Sequence, residues 1–392
     1  MTTLEQTNDD MMNTMSKNFS EEALQKHKEL GGKISLKLKD TLDSKDKLST
    51  YYTPGVAAVS SHVAKHPEQT RDYTWTNNSV AVVSDGSAVL GLGNIGPEGA
   101  LPVMEGKAML FKHFADIDAV PVVLNVHSAD EIVATVKAIA PSFGGINLED
   151  IAAPLCFEVE ERLKAELNIP VFHDDQHGTA IVVLAGLINA AKVSGKQLSD
   201  CAVVIVGSGA AGVAIAKLLH KYGVKNIRMV DSKGVIGPKR TDLNASKQAL
   251  LSFNQEGLDG TLADAVNGAD VFIGVSKAGL LTPEMVKSMQ PSPIVFAMAN
   301  PEPEILPDAA KAAGVAVMAT GRSDFPNQVN NALAFPGIFR GALDNNVSQI
   351  TDDHKIAAAE AIAGLVKNPT ADTIIPPVLD DRLVPSIAKV IT

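Results

Sequence analysis

Two short apolar runs in this chain each end in a pair of adjacent carboxylates. Gly144-Gly-Ile-Asn-Leu runs into Glu149-Asp150, and Ile169-Pro-Val-Phe-His runs into Asp174-Asp175. Between them, Cys156 to Leu167 carries charges at helical spacing: Glu158, Glu161, Arg162, Lys164 and Glu166. A strand, a helix and a second strand within about 30 residues make a βαβ unit. Such a crossover is right-handed and its strands are parallel. Both doublets then arrive at the carboxyl edge of one sheet, where open α/β sheets bind ligands. Four carboxylates crowded at one edge repel one another unless a cation joins them. An all-oxygen donor set suits a hard divalent ion, Mg²⁺ or Mn²⁺. The competing reading is that each Asp caps the helix that follows it.

The rest of the composition agrees with an α/β fold. The chain has 392 residues, 45% hydrophobic and 20% charged, with aromatics at 4%. Its Val, Ile, Ala and Gly content is that of buried parallel strands under helices. A net charge of −11 argues against nucleic acid and against an anionic membrane surface as partners. Cys156 and Cys201 are far apart and lack metal-ligand spacing, so they read as reduced core thiols of a cytoplasmic protein. The polar N-terminus has no signal-peptide core. The longest apolar run, Ala180 to Val193, is interrupted by Asn189 and Lys192 and is too short to span a membrane.

Three domain segments are expected. Residues 1–195 form a substrate and metal-binding domain, with 1–18 as a flexible arm and a helix beginning near Ser20. Thr53-Pro54-Gly55 is a turn that opens a helix over about 56–65, which holds Tyr52 beside a rigid turn. Locally, Tyr52 is either an acid or a packed tyrosine. Ser79 to Asp85 reads as a strand. The loop with Gly91, Gly93, Gly96 and Gly99 then allows close backbone approach. Lys107 follows on an apolar helix near Met104. It is either a buried lysine of lowered pKa or a snorkelling one. Strands are expected over 119–126 and helices over 129–140 and 179–191.

Residues 196–340 form a dinucleotide-binding domain. Strand 201–206 leads into Gly207-Ser208-Gly209-Ala210-Ala211-Gly212, a helix follows over 211–222, and strand 226–230 ends in Asp231, 24 residues after Gly207. A G-x-G-x-x-G in that context binds the pyrophosphate at the helix N-terminus, and the acid takes the ribose hydroxyls. Asp231 favours NAD, because a carboxylate repels a 2′-phosphate. Lys233, Lys239, Arg240 and Lys247 nearby keep NADP open. Further strands are expected over 269–275, 293–299 and 314–320, with Asn300 at a carboxyl end. Residues 341–392 are expected as helices packing back on the first domain.

Taken together, these stretches resemble the malic enzyme family in its short bacterial form. The matching motifs are Tyr-Thr-Pro-Gly-Val (52–56), Ser-Asp-Gly (84–86), Gly-Leu-Gly-Asn-Ile-Gly-Pro (91–97), Pro-Val-Met-Glu-Gly-Lys-Ala (102–108), Gly-Gly-Ile-Asn-Leu-Glu-Asp (144–150), Phe-His-Asp-Asp-Gln-His-Gly-Thr (172–179) and Phe-Pro-Asn-Gln-Val-Asn-Asn (325–331). The resemblance covers about residues 20–365. It implies metal-dependent oxidative decarboxylation of L-malate, a dicarboxylate, to pyruvate, with NAD or NADP reduced. It implies Glu149, Asp150 and Asp175 as metal ligands. Lys107 is implied as general base beside Asp174, and Tyr52 as the acid that protonates enolpyruvate. Asn300 and Asn331 are implied as substrate and nicotinamide contacts. It implies a homodimer in which the Tyr52 segment completes the partner's site. For Lys107 to act as a base it must be neutral. The apolar helix and the nearby cation depress its pKa, and Asp174 opposes them. Longer family members carry an arginine shortly after Ser-Asp-Gly, where this chain has Ser87-Ala88-Val89. The main alternative is a lyase of the same family that decarboxylates oxaloacetate. A silent dinucleotide-binding protein and a malolactic enzyme are lesser ones.

Overall fold

The computed structural model describes residues 19–89 and 92–392. The expected arm 1–18 and Gly91 of the glycine run lie outside the described residues. Two units are present, one up to Leu42 and one from Asp43 to Thr392. The first contains helix α1 (Phe19–Leu30), whose residues are not buried.

The second unit holds two sheets. In the first, β1 (Ser79–Ser84), β2 (Asp118–Val123), β3 (Gly145–Leu148) and β4 (Val171–His173) are ordered β2-β1-β3-β4. All its pairings are parallel. Its long helices are α2 (Lys45–Tyr51), α3 (Val56–Lys65), α4 (Gly96–Ala115), α5 (Ala129–Ile139), α6 (Leu155–Glu166) and α7 (Asp174–Val193). The unit β3-α6-β4 is the βαβ read from the carboxylate doublets. Strand β2 stops at Val123, three residues short of its expected end.

Two helices begin earlier than their sequences suggest. Gly96 and Gly99 are not loop residues but open α4, with Pro97 in its first turn. A proline there loses no hydrogen bond, because the first helical N–H groups have no partner within the helix. Helix α7 begins at Asp174, five residues before Thr179, so both acids of the doublet lie in its first turn. The residue preceding it is His173, which makes no side-chain cap. Pro154, which precedes α6, makes none either. The capping account of the doublets therefore fails.

The second sheet runs β10-β9-β8-β5-β6-β7, from β5 (Ala202–Val206), β6 (Asn226–Asp231), β7 (Gly234–Val235), β8 (Val271–Gly274), β9 (Ile294–Ala297) and β10 (Val317–Thr320). Five strands are parallel. Only β7 is antiparallel, to β6. Two residues link β6 to β7, enough for a hairpin and far too few for a crossover. Helix α8 (Ala210–Tyr222) follows β5. The order reverses between β5 and β8, which is the ligand-binding position in open α/β sheets.

Helices α9 (Phe335–Asp344), α10 (Asp352–Gly364) and α11 (Leu383–Ala388) complete the chain. Helix α10 packs on α7, and α9 packs on α4. Asn189 of α7 donates to the carbonyls of Ala363 and Ile374, 2.9 Å each. One apolar core runs from β1 through α7 and β5 to these helices. Separate clusters fill the far face of each sheet.

Candidate active site

Register brings the doublets together. Leu148 of β3 pairs with His173 of β4, so Glu149-Asp150 and Asp174-Asp175 leave adjacent strands side by side. Lys107 arrives from α4. Met104, Ala108 and Phe111 are buried on that helix at spacings of three and four, and Lys107 shares their face. Its Nζ lies 2.5 Å from Asp174 Oδ2 and 2.8 Å from Glu149 Oε1. The same ammonium sits 4.3 Å over the Phe335 ring of α9. Glu149 Oε2 accepts from Asn147 Nδ2 at 2.9 Å. Asp175 Oδ2 accepts from the Asp150 backbone N–H at 2.8 Å.

One sharp turn and one close approach hold this edge. Asp150 has φ 54°, the left-handed region that a short polar side chain tolerates. A Cβ on Gly178 would collide with Asp174 Oδ1 and would lie 3.1 Å from the Cβ of Asn331. Asn331 therefore stands next to Asp174. The Ser87-Ala88 segment braces the same turn. Ala88 N–H donates to the Asp150 carbonyl at 2.9 Å, and Ala152 N–H donates to Ser87 Oγ at 2.9 Å.

Burial pulls the Lys107 pKa down, but Asp174 and Glu149 more than offset it and hold it above the ordinary lysine range. The expectation of a depressed lysine is thus reversed: two carboxylates at hydrogen-bonding distance outweigh the apolar helix. Burial lifts Asp174 to about 6 against the pull of Lys107. Burial also lifts Asp175 to about 6. Glu149 is raised by burial, with Lys107 opposing. One ammonium thus stands between two buried acids, Asp174 and Glu149, and Asp174 Oδ1 is buried without a hydrogen bond. Among the described residues no three His, Cys, Asp or Glu side chains stand close enough to ligate one ion. Lys107 and the Asp150 N–H take the carboxylate oxygens of Glu149 and Asp175 instead. The all-oxygen donor set and its surplus of negative charge nevertheless fit a hard divalent cation.

The dinucleotide turn is built glycine by glycine. Gly207 has φ 122°, and a Cβ there would meet the Val275 carbonyl oxygen at 2.7 Å. A Cβ on Gly212 would collide with the Gly207 carbonyl. Gly209 precedes α8 and has open space at its Cβ position. These are the three requirements of the motif: a tight turn, close helix packing and room for a phosphate. A cavity of about 290 Å³ lies there, lined by Ser208, Gly209, Asn244 and Lys247, with Pro154 and Phe157 from α6 and its approach. Ala210 and Ala211 form the first turn of α8.

At the end of β6, Asp231 is engaged by Arg240 at 3.1 Å and Lys247 at 2.6 Å. Burial would raise this carboxyl, but Arg240 and Lys247 hold it down at about 2. Two of the four basic residues read as alternative phosphate ligands thus pair with the acid itself, whereas Lys233 pairs with Asp242 at 2.7 Å and Lys239 lies 4.0 Å from Asp259.

The remaining expected residues stand apart from Lys107. Tyr52 follows α2 and is 67% exposed as a residue. Asn300 is exposed three residues after β9, its Nδ2 3.3 Å from where a Cβ on Gly321 would stand. Sequence reasoning missed Phe335, Gly178 and Glu304. Gly178 is legible as the residue four after Asp174 on one helix face. Glu304 is fully buried and accepts the backbone N–H groups of Ser276 and Ala299, 3.0 Å each, joining the loops after β8 and β9. Nothing local marks Phe335.

Comparison with known proteins gives the family. A model of the malic enzyme N-terminal domain matches residues 31–164, and one of the malic enzyme NAD-binding domain matches residues 176–390. The bifunctional malic/malolactic enzyme of Bacillus subtilis is 58% identical over 375 residues, 95% of this chain and 92% of that protein. The NADP-dependent malic enzyme of Halomonas elongata is 49% identical over 89% of this chain and 82% of its own length. The crystal structure of NAD-dependent malic enzyme from Thermotoga maritima superposes with a TM-score of 0.92 at 51% identity, covering 94% of this chain and 98% of that one. The chain belongs to the malic enzyme family.

Proposed function

We propose that this protein catalyses the oxidative decarboxylation of L-malate to pyruvate and CO₂ with reduction of NAD(P). The observation that carries the reading is the buried Lys107 between Asp174 and Glu149, at the edge where a built dinucleotide turn also opens. The Lys107–Asp174 pair takes the proton of the malate C2 hydroxyl as hydride leaves C2 for the nicotinamide: the ammonium passes its own proton to the Asp174 carboxylate along their hydrogen bond, and the neutral amine so formed accepts the hydroxyl proton. Asn300 and Asn331 orient the substrate and the nicotinamide. Tyr52, from the partner subunit of a homodimer, delivers the proton that converts enolpyruvate to pyruvate; its exposure in the single chain supports that assignment. Glu149, Asp150 and Asp175 would hold Mg²⁺ or Mn²⁺, which when bound would supply Lewis-acid stabilisation of charge on the substrate oxygens.

NAD is the preferred cofactor in this reading. Asp231 stays ionised at working pH and Arg240 is already committed to it, so a 2′-phosphate meets an anion. The division into a substrate domain (1–195), a dinucleotide domain (196–340) and C-terminal helices (341–392) is part of the same proposal. So is a cytoplasmic location, supported by two buried free thiols. No helix among the described residues is long and apolar enough to cross a membrane.

The test is the growth of reduced-cofactor absorbance with L-malate and Mn²⁺, run with NAD and NADP in parallel. EDTA abolishes it, and Lys107→Ala lowers it by about 10² to 10⁴, the usual contribution of general acid–base catalysis. No reduction with either cofactor, alongside metal-dependent loss of oxaloacetate, moves the assignment to the lyase. The likeness to the Bacillus subtilis enzyme supports malolactic turnover as a second activity; lactate formed from malate with catalytic NAD identifies it.

A further inference from the structure

Phe157 of α6 is a wall shared by two cavities. One is the cavity at the dinucleotide turn. The other, of about 340 Å³, lies among α6, the first turn of α7, α8 and α10. Three lysines reach it from three helices: Lys164, Lys217 and Lys355. Lys355 is only 5% exposed. Among the described residues its one hydrogen-bond partner is Asp352, at 2.9 Å, an acid that is itself exposed. A buried ammonium with one solvent-facing partner is costly.

The other acids of the cavity do little to relieve it. Glu160 is already saturated. It accepts from Lys164 at 2.6 Å, His177 at 2.8 Å, Gln176 at 3.3 Å and the His173 backbone N–H at 3.2 Å. Glu161 is exposed. Burial and the Lys164 charge together pull the Lys355 pKa below the ordinary lysine range. The buried part of the cavity is therefore short of negative charge, although the chain as a whole is acidic.

We propose that this cavity binds a small multivalent anion, a polycarboxylate or a phosphate, held by Lys355, Lys164 and Lys217. Its volume falls at the lower end of the roughly 300–1,000 Å³ of small-molecule sites, which suits a compact metabolite. The position gives the anion two mechanical contacts with the candidate active site. Phe157 carries its presence to the dinucleotide cavity. Gln176 and His177 directly follow Asp174-Asp175 in the first turn of α7. An occupant therefore changes the affinity for NAD(P), a consequence that rests on the proposed function; the binding itself does not.

Calorimetric titration of the full chain tests it, with inorganic phosphate and with citrate in separate arms. EDTA removes metals, and saturating NAD fills the phosphate-binding turn. The expected result is millimolar or tighter binding of at least one anion, weakened about tenfold or more in Lys355→Met and in Lys164→Gln. Which anion binds distinguishes the two ligand chemistries. Lys217→Gln, at an exposed position that folding does not depend on, weakens binding as well and guards against loss of structure in the buried variant. No heat with either anion up to tens of millimolar (about ten-thousandfold weaker than micromolar sites), or titrations unchanged in all three variants, overturns the site. An unchanged KM for NAD with the anion bound overturns the coupling. Absence of malate oxidation leaves the calorimetric result intact and counts against the proposed function alone.

Discussion

Lys107 shows why a residue's role depends on which neighbours reach it. An isolated lysine on an apolar helix would be driven toward neutrality, yet here two carboxylates keep it an ammonium. Asp174 is held in turn by the absence of a side chain at Gly178. Adding one carbon there, in Gly178→Ala, forces Asp174 Oδ1 away from its position. Such overpacking costs about 1–3 kcal/mol of stability. We expect kcat to fall by about 10² or more, because the Lys107–Asp174 pair is broken. A thermal melt and a rate measurement on the same preparation check both effects, and an active, stable Gly178→Ala enzyme would remove the assigned geometry. At the cofactor end, Asp231→Ser deletes the charge that opposes a 2′-phosphate and releases Arg240 and Lys247. The ratio of kcat/KM for NADP over NAD should rise by about tenfold or more, equivalent to roughly 1.4 kcal/mol of discrimination. An unchanged ratio would mean that Asp231 does not face the ribose.

At the scale of elements, the candidate catalytic edge depends on helices far apart in the chain. Helix α4 presents Lys107, α7 presents Asp174 and Asp175 from its first turn, and α9 lays Phe335 beneath the ammonium. Phe335 also stacks edge-on against Phe111 of α4, centroids 4.7 Å apart. It thus fastens a C-terminal helix to the helix that carries the lysine. Truncation in Phe335→Ala should cost about 3–5 kcal/mol, the usual range for a buried phenylalanine. Urea denaturation gives the stability, and the rate of malate oxidation gives the effect on Lys107. A loss below 1 kcal/mol (about a third of the least expected) would show that α9 is not fastened to α4 through this ring.

For the whole molecule, the exposed Tyr52 bears on assembly. If each tyrosine serves the partner's site, Tyr52→Phe and Lys107→Ala chains are each inactive alone. Mixed and reassembled, half of the dimers pair one chain of each kind. Each such dimer has one complete site, so about a quarter of wild-type activity should return under twofold symmetry. No recovery, with mixed dimers demonstrated by mass spectrometry, would place Tyr52 within its own chain.

Local sequence was enough for much of this protein. Apolar runs ending in doublets, Gly207 to Gly212 between a strand and a helix, and Asp231 at the next strand end each need only near neighbours to be recognised, because period and turn chemistry are local properties. They established the α/β class and brought four acids to one sheet edge. Tertiary structure decided what those acids touch. Lys107 meets Asp174 across 67 residues of sequence. The forked contact of Arg240 with Asp231 also exists only once the chain is packed. Phe335 under the ammonium is a meeting of two distant helices, and no pattern within either one encodes it. Burial and charge act through space, so the protonation of Lys107 was set by the folded arrangement and not by the helix in which it was read.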